Sequence, residues 1–205
     1  APAEPFLISA DDRLAGQGIA IITSSAASED AQESERLGGS FFTHHLVSAL
    51  LGAADRSDDQ RVTLAEAYDY AYRETIRSTS AARFVQHPTY SFQIKGRSDL
   101  VLTDLNTKVR GIGQVVLANA GEYTLFEGSD ARDIVAELSV EAGTAVQLPQ
   151  GEYLVRLRGP RSAYESLIRV IDGDEVTVSR TTMSRVPYGR LVRKGLGVER
   201  RSAMG

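Results

Sequence analysis

Gly18-Ile19-Ala20-Ile21-Ile22-Thr23 is a short apolar run rich in β-branched residues. Continuous apolarity of that length suits a strand buried on both faces, as in a parallel or mixed sheet. The chain then turns polar and acidic over residues 24–39, which is long for a structureless loop in a compact domain. Phe41, Phe42, His45, Leu46, Ala49 and Leu50 follow at helical spacing, and Gly52 supplies a stop. Thr63-Leu64-Ala65-Glu66 fits a capping box, in which hydroxyl and carboxylate reciprocally satisfy backbone N–H groups. A second helix is expected there, with Ala67, Ala71 and Ile76 beside Tyr68 and Tyr72 as its apolar positions. After Pro88, Thr89-Tyr90-Ser91-Phe92-Gln93-Ile94 alternates as a half-buried strand, and Leu100-Val101-Leu102 reads as one more.

Outward from this region both charge and texture change. Residues 1–106 hold 9 Lys+Arg against 15 Asp+Glu, and residues 107–205 hold 14 against 12. The first half alternates a strand with helices. The second half has short alternating runs at 113–118, 122–126, 134–140, 145–148, 152–157, 165–170 and 175–181, split by glycines. Such spacing predicts a β-sandwich. Residues 171–175 read as a hairpin connection. The expected organisation is a linker at 1–13, an α/β portion at 14–104, a sandwich-like domain at 105–185 and a basic tail at 186–205.

The composition excludes several classes. The 205 residues include no cysteine, so the chain carries no disulfide, no thiolate metal site and no cysteine nucleophile. No apolar run approaches the roughly 20 residues of a membrane span, and no basic start precedes an apolar core. A cytoplasmic location is expected. From Arg180 to Arg201 there are seven basic residues and one Glu. Net charge is nevertheless −4 and no aromatic stacking platform accompanies them, so neither nucleic acid nor membrane is expected as a partner.

Few residues offer chemistry. His44 and His45 are adjacent on an expected helix and point about 100° apart, so they cannot form an i, i+4 metal pair. Structural roles are expected for both, and for His87 in its turn before Pro88. The stretch Ser24-Ser25-Ala26-Ala27-Ser28-Glu29-Asp30-Ala31-Gln32-Glu33-Ser34-Glu35 leaves a strand end, where α/β folds place ligand-binding residues. Its carboxylates could pair with Arg or Lys of a ligand; composition alone favours a solvated loop. Asp55, Ser57, Asp59 and Glu66, with Thr63, occupy positions 1, 3, 5, 12 and 9 of a calcium-loop spacing. Against calcium, Gln60 stands where the sharp turn wants glycine, Glu66 is claimed by the capping box, and no apolar helix of the usual kind precedes Asp55. No cofactor is therefore expected, with calcium the minority reading.

Taken as a series, Ile21-Ile22-Thr23-Ser24-Ser25, Gly38-Gly39-Ser40-Phe41-Phe42-Thr43-His44-His45-Leu46, Val62-Thr63-Leu64-Ala65-Glu66-Ala67-Tyr68, Gln86-His87-Pro88 and Asp99-Leu100-Val101-Leu102 resemble the small-subunit half of bacterial caspase-like cysteine proteases. The resemblance covers about residues 14–103 and belongs to the caspase/metacaspase superfamily. It implies a caspase–haemoglobinase-like α/β portion whose catalytic His and Cys lie on preceding strands, so no catalytic residue is expected on this chain. Ala1-Pro2-Ala3-Glu4-Pro5 looks like the linker that maturation cuts in such zymogens, and a large-subunit chain is the implied partner.

The resemblance also implies that residues 23–34 line the primary specificity pocket. Caspases place a Ser-Trp-Arg segment about there, with the Arg gripping a substrate aspartate; this chain has Gln32-Glu33-Ser34, and no Arg until Arg36. An acidic pocket selects a cation, because an unpaired buried carboxylate is costly. Preference for Arg or Lys before the scissile bond is therefore expected. Asp30 and Glu33 are the candidate carboxylates, Gln32 a lining residue, and Ser24 and Ser25 contacts to substrate backbone. The competing reading is a caspase-like pseudoprotease or adaptor that acts as an interaction module. A calcium-regulated module stands third.

Overall fold

The structure, a computed structural model, describes residues 6–7, 17–26, 31–37, 39–80, 85–95 and 100–189; for 6–7, 17–18 and 92–95 it gives the backbone course. In chain order the elements are β1 (Phe6–Leu7), β2 (Gln17–Thr23), β3 (Glu33–Ser34), β4 (Gly39–Ser40), α1 (Phe41–Ser48), β5 (Arg61–Thr63), α2 (Leu64–Thr79), β6 (Thr89–Lys95) and β7 (Val101–Asp104). Then follow β8 (Ile112–Leu117), β9 (Gly121–Glu127), β10 (Asp133–Val140), β11 (Thr144–Pro149), β12 (Gly151–Arg158), β13 (Ser162–Val170), β14 (Glu175–Val178) and β15 (Ser184–Pro187). Among the described residues the chain is mostly β, in several sheets, with two α-helices.

Both helices start where the sequence places them. Ser40 caps α1 by accepting from the Thr43 amide. Thr63 caps α2 in the reciprocal box with Glu66. A wider π-type turn, Ala49–Ala53, extends α1, and within it Gly52 leaves helical geometry with φ 124°.

The expectation for residues 18–23 needs correction. β2 lies between β1 and β6 and pairs antiparallel with both. It is not buried on both faces. Ala20 is buried and Ile22 half-buried, whereas Ile19 and Ile21 on the opposite face are 53% and 37% exposed. Alternate side chains of a strand point to opposite faces. Tyr90 of β6, directly across from Ile22, packs its ring against Tyr68 of α2, so the helical layer covers that face alone.

All seven strands expected in the second half form, and β15 is an addition at the edge of the basic tail. They make a five-stranded antiparallel sheet, β10-β9-β12-β13-β15, and a three-stranded one, β11-β8-β14. Residues 171–175 do not form a hairpin: β13 belongs to the larger sheet and β14 crosses to the smaller, pairing parallel with β8. Leu125, Leu138 and Val155 of one sheet meet Val115, Val146 and Leu148 of the other in the interior.

That interior is continuous with the first half. Ala49, Ala53, Val62, Ala67 and Tyr70 belong to the same buried cluster. The tightest approach is at Gly52, where a Cβ would stand 2.3 Å from the carbonyl oxygen of Ala145. Gly52→Ala should therefore combine a left-handed backbone penalty with a backbone clash, and lower stability by roughly 2–4 kcal/mol. Urea unfolding is the measurement. Because the core is shared, signals from α2 and from the β-rich half should shift together; separated transitions would contradict a common core.

Candidate functional site

β2 ends at Thr23, and the acidic stretch begins there. Thr23 Oγ1 lies 2.6 Å from Thr89 Oγ1 and donates to the Ser25 carbonyl at 3.1 Å. Ser24 and Ser25 are both half-buried. The Ser24 carbonyl accepts from Gln86 Nε2 at 2.5 Å, and the Gln32 amide donates to Gln86 Oε1 at 2.9 Å. One side chain thus ties together the departure and the return of this stretch. Both serine carbonyls are engaged within the chain, so contact to a substrate backbone through them would use their amide or hydroxyl groups.

The second part of the stretch is a small ordered hairpin. Glu33 of β3 pairs with Ser40 of β4, the Leu37 amide donates to the Ser34 carbonyl at 3.1 Å, and the Phe41 amide donates to the Gln32 carbonyl at 3.2 Å. The hairpin feeds α1 without slack. It leaves Glu33 exposed. The reasoning from a buried carboxylate therefore does not apply to Glu33 in this chain by itself. Asp30 lies outside the described residues. Ser24 and Gln32 are brought together on Gln86, and Glu33 sits one residue beyond that junction. Arg36 turns away and pairs with Glu137 of β10 at 2.8 Å.

Gln86, which enters the resemblance only as part of Gln86-His87-Pro88, holds this junction. It is fully buried, and its own amide donates to Thr79 Oγ1 at 3.1 Å. A buried primary amide needs every partner it can reach, since an unsatisfied polar group costs about 1–3 kcal/mol. Its one signal in the sequence is its place in the Gln86-His87-Pro88 series, which does not name its partners.

Next to this junction opens a cleft of about 630 Å³, lined by Ala65, Tyr68, Asp69, Tyr72, His87, Pro88, Thr89 and Tyr90. Tyr68 and Tyr90 meet edge to face with centroids 4.4 Å apart, and the Tyr68 hydroxyl donates to the Pro88 carbonyl at 2.8 Å. Burial, then the neighbouring Tyr72, Tyr90 and Asp69, pushes the Tyr68 phenol up to about 12. It is a neutral hydrogen-bond donor at physiological pH. His87 lines the cleft's mouth.

His44 and His45 take structural positions. His44 Nε2 accepts the Glu137 amide at 3.2 Å, joining α1 to β10. His45 is buried, with Nε2 2.8 Å from Ser78 Oγ of α2. Accepting an N–H requires a neutral Nε2 on His44. Burial lowers its pKa, the Glu137 carboxylate opposes that, and Arg36 adds to it. Burial, with His44 and Arg77, brings His45 down to about 4.

The calcium-type spacing folds into a self-contained turn. Asp55 Oδ2 accepts the Gln60 amide at 3.0 Å, and Oδ1 accepts from the Asp59 amide and Ser57 hydroxyl. Glu66 Oε2 accepts the Thr63 amide and hydroxyl, and Oε1 the Ser57 amide. Burial works to raise the Glu66 carboxyl, but the bonds from Thr63 and Ser57 outweigh it and hold it below its ordinary value. Gln60 adopts φ 63° itself, so the sharp turn forms without glycine, contrary to the sequence argument. The carboxylates of Asp55, Asp59 and Glu66 thus accept from the loop's own N–H and O–H groups, and Ser57 donates to Asp55 and Glu66. Among the described residues, no group of three or more His, Cys, Asp or Glu converges as a metal site. No described helix is long and apolar enough to cross a membrane.

No family model, curated protein or solved structure matches the chain.

Two outcomes follow from these contacts. Both histidines have folded-state pKa values below 6.5, so protons favour the unfolded chain. Their contribution is complete above about pH 6.5 and falls as pH drops below it; for His45 the loss continues to about pH 4 and amounts to about 3 kcal/mol. Urea midpoints measured between pH 7 and 5 should fall, and His45→Gln should flatten that slope. Asp55→Ala should lower stability by about 1–2 kcal/mol, since it strands the Gln60 amide in a strained turn. Thermal melts with chelator and with added calcium should show the same loss.

Proposed function

We propose that this chain is the small-subunit part of a caspase-like cysteine endopeptidase, with the catalytic His and Cys on a large-subunit part. The acidic stretch after β2 shapes the pocket for an Arg or Lys side chain before the scissile bond. The carrying observation is where that stretch lies. It leaves the end of β2 at a sheet whose outer face leaves Ile19 and Ile21 53% and 37% exposed, and one buried side chain gathers its two stems. An apolar sheet face left open is a surface for another element to cover. The large-subunit part is the element that the sequence resemblance supplies. The absence of cysteine then has a simple meaning: thiolate attack is a partner's task, and this chain selects the substrate. Covering the outer face would also bring the acidic stretch under protein, where a carboxylate is worth more to a cationic side chain than in water.

The test is reconstitution with the large-subunit part and a panel of peptides carrying Arg, Lys or Asp before the cut. Cleavage after Arg and Lys is expected. Asp30→Ala and Glu33→Ala should each lower kcat/KM for Arg peptides, about tenfold or more for the principal carboxylate. Unchanged kinetics in both variants would remove the acidic stretch from the pocket. A stable complex that cleaves nothing would favour the adaptor reading.

A further inference from the structure

Between β7 and β8 the chain crosses from the first half to the second on five consecutive exposed residues, Asn106-Thr107-Lys108-Val109-Arg110. The run is pinned at both ends. On one side Leu105 is buried, its amide donates to the Gln60 carbonyl at 2.8 Å, and its carbonyl accepts from Gln147 Nε2 at 2.9 Å. On the other, the Gly111 amide donates to Asp172 Oδ1 at 2.8 Å and the Gly111 carbonyl accepts the Gln150 amide at 2.7 Å. Within the run, the amides of Asn106 and Thr107 fold back on Asp104, and the Val109 carbonyl accepts the Ile112 amide at 3.1 Å. The peptide group between Lys108 and Val109 is the least held. Neither its carbonyl nor its N–H bonds to any described residue, and the Lys108 and Arg110 side chains form no ion pair with one. Val109, although apolar, stands 52% exposed.

We propose that the Lys108–Val109 bond is a processing site for a protease that cuts after lysine, and that the two products remain one folded body. A protease takes its substrate extended, so a cut falls where extending the chain gives up least burial and hydrogen bonding. Here it gives up the exposed turn on Asp104 and the bond from Ile112. Other basic residues are held more firmly. Arg132 and Arg161 are exposed, but each lies in a short hairpin loop whose flanks, Glu127 with Asp133 and Arg158 with Ala163, pair across the ladder. Arg110 precedes Gly111, both of whose backbone groups are bonded. The chain has 20 arginines and three lysines, Lys95, Lys108 and Lys194. Lys95 sits in β6, paired with Gln17, and Lys194 lies outside the described residues. Hydrolysis consumes one water, leaving a carboxylate on Lys108 and an ammonium group on Val109. The parts stay joined because their contacts do not run through that bond. Ala49, Val62, Ala67 and Tyr70 share one core with Val115, Leu125, Leu138 and Val146, and Leu105 stays tied to Gln147. The site does not depend on the protease reading above.

The probe is a lysine-specific endopeptidase, added in small amount to the folded 205-residue chain. Among the described residues, the first bond cut should be Lys108–Val109, read by intact mass and by a new N-terminus at Val109. Lys108→Gln should abolish that cut and leave the thermal midpoint unchanged, because the side chain is exposed and unpaired. The two products should co-elute on size exclusion with the intact chain and separate in denaturant. Unfolding of the nicked protein releases two chains, so its urea midpoint should become dependent on protein concentration. A Lys108–Val109 bond that survives in the folded chain while the urea-unfolded chain is cut would overturn the site, as would a cut at Lys95 ahead of it. With trypsin, cleavage after Arg110 before cleavage after Lys108 would overturn the assignment to this bond. Products that part in native buffer would overturn the retention of one folded body.

Discussion

Tyr70 is the point from which the first half of this chain takes its geometry. Its ring is buried in the core shared by both halves, and its hydroxyl accepts the Ser139 amide of β10 at 2.9 Å. Burial, opposed by that bond, holds the phenol in its neutral form. A buried N–H left without this acceptor would cost about 1–3 kcal/mol. The contact therefore fixes the rotation of α2 as well as its distance from the sheet. From α2 the rest follows by short links. Ser78 meets His45 and places α1; Thr79 meets Gln86 and places the stems of the acidic stretch; the cap at Thr63 continues β5, which pairs with β7. Loss of the seat at Tyr70 would propagate to each.

Charge contributes less than the number of ion pairs suggests. Arg36–Glu137 and Arg158–Glu122 involve half- to well-exposed side chains, where such pairs are worth about 0–1 kcal/mol. Arg77 reaches both Glu74 and Glu122 and so bridges α2 to β9, which makes it a register device more than a source of stability. The neutral groups between the same elements carry more, because they are buried and each has one geometry. His44 on the Glu137 amide is the clearest, since the imidazole serves only while unprotonated.

The periodic features of the sequence were the legible ones. The two helix starts, the capping box and the seven strands of the β-rich half all follow from local spacing, which tertiary packing had no reason to override. Two readings failed for a common cause. The run at residues 18–23 looked doubly buried, and the turn at 171–175 looked like a hairpin, because local pattern carries no information about which sheet a strand joins. Gln60 adopting the left-handed conformation reflects the Asp55 bond that holds it, again a contact that spacing does not encode. In the candidate site, Ser24, Gln32 and Glu33 were visible as polar residues at a strand end. Gln86 was visible only as part of Gln86-His87-Pro88, and its role was not legible, because its partners stand 62 and 54 positions away.

The partly exposed face of β2 and the neutral Gln86 junction beside it bear on the same question. Ile19 and Ile21 would each release roughly 1–2 kcal/mol on being covered, so the outer face favours a second layer even without polar contacts. On the proposed reading, closing that layer over the strand end would lower the dielectric around the acidic stretch. Its carboxylates would then become expensive unless a cation joins them. A junction carrying positive charge would satisfy them within the chain and leave nothing for a ligand to answer. Gln86 holds the stems while leaving that demand open. On the proposed reading, assembly would create an affinity for a basic side chain that Glu33, exposed to water in this chain, does not supply by itself.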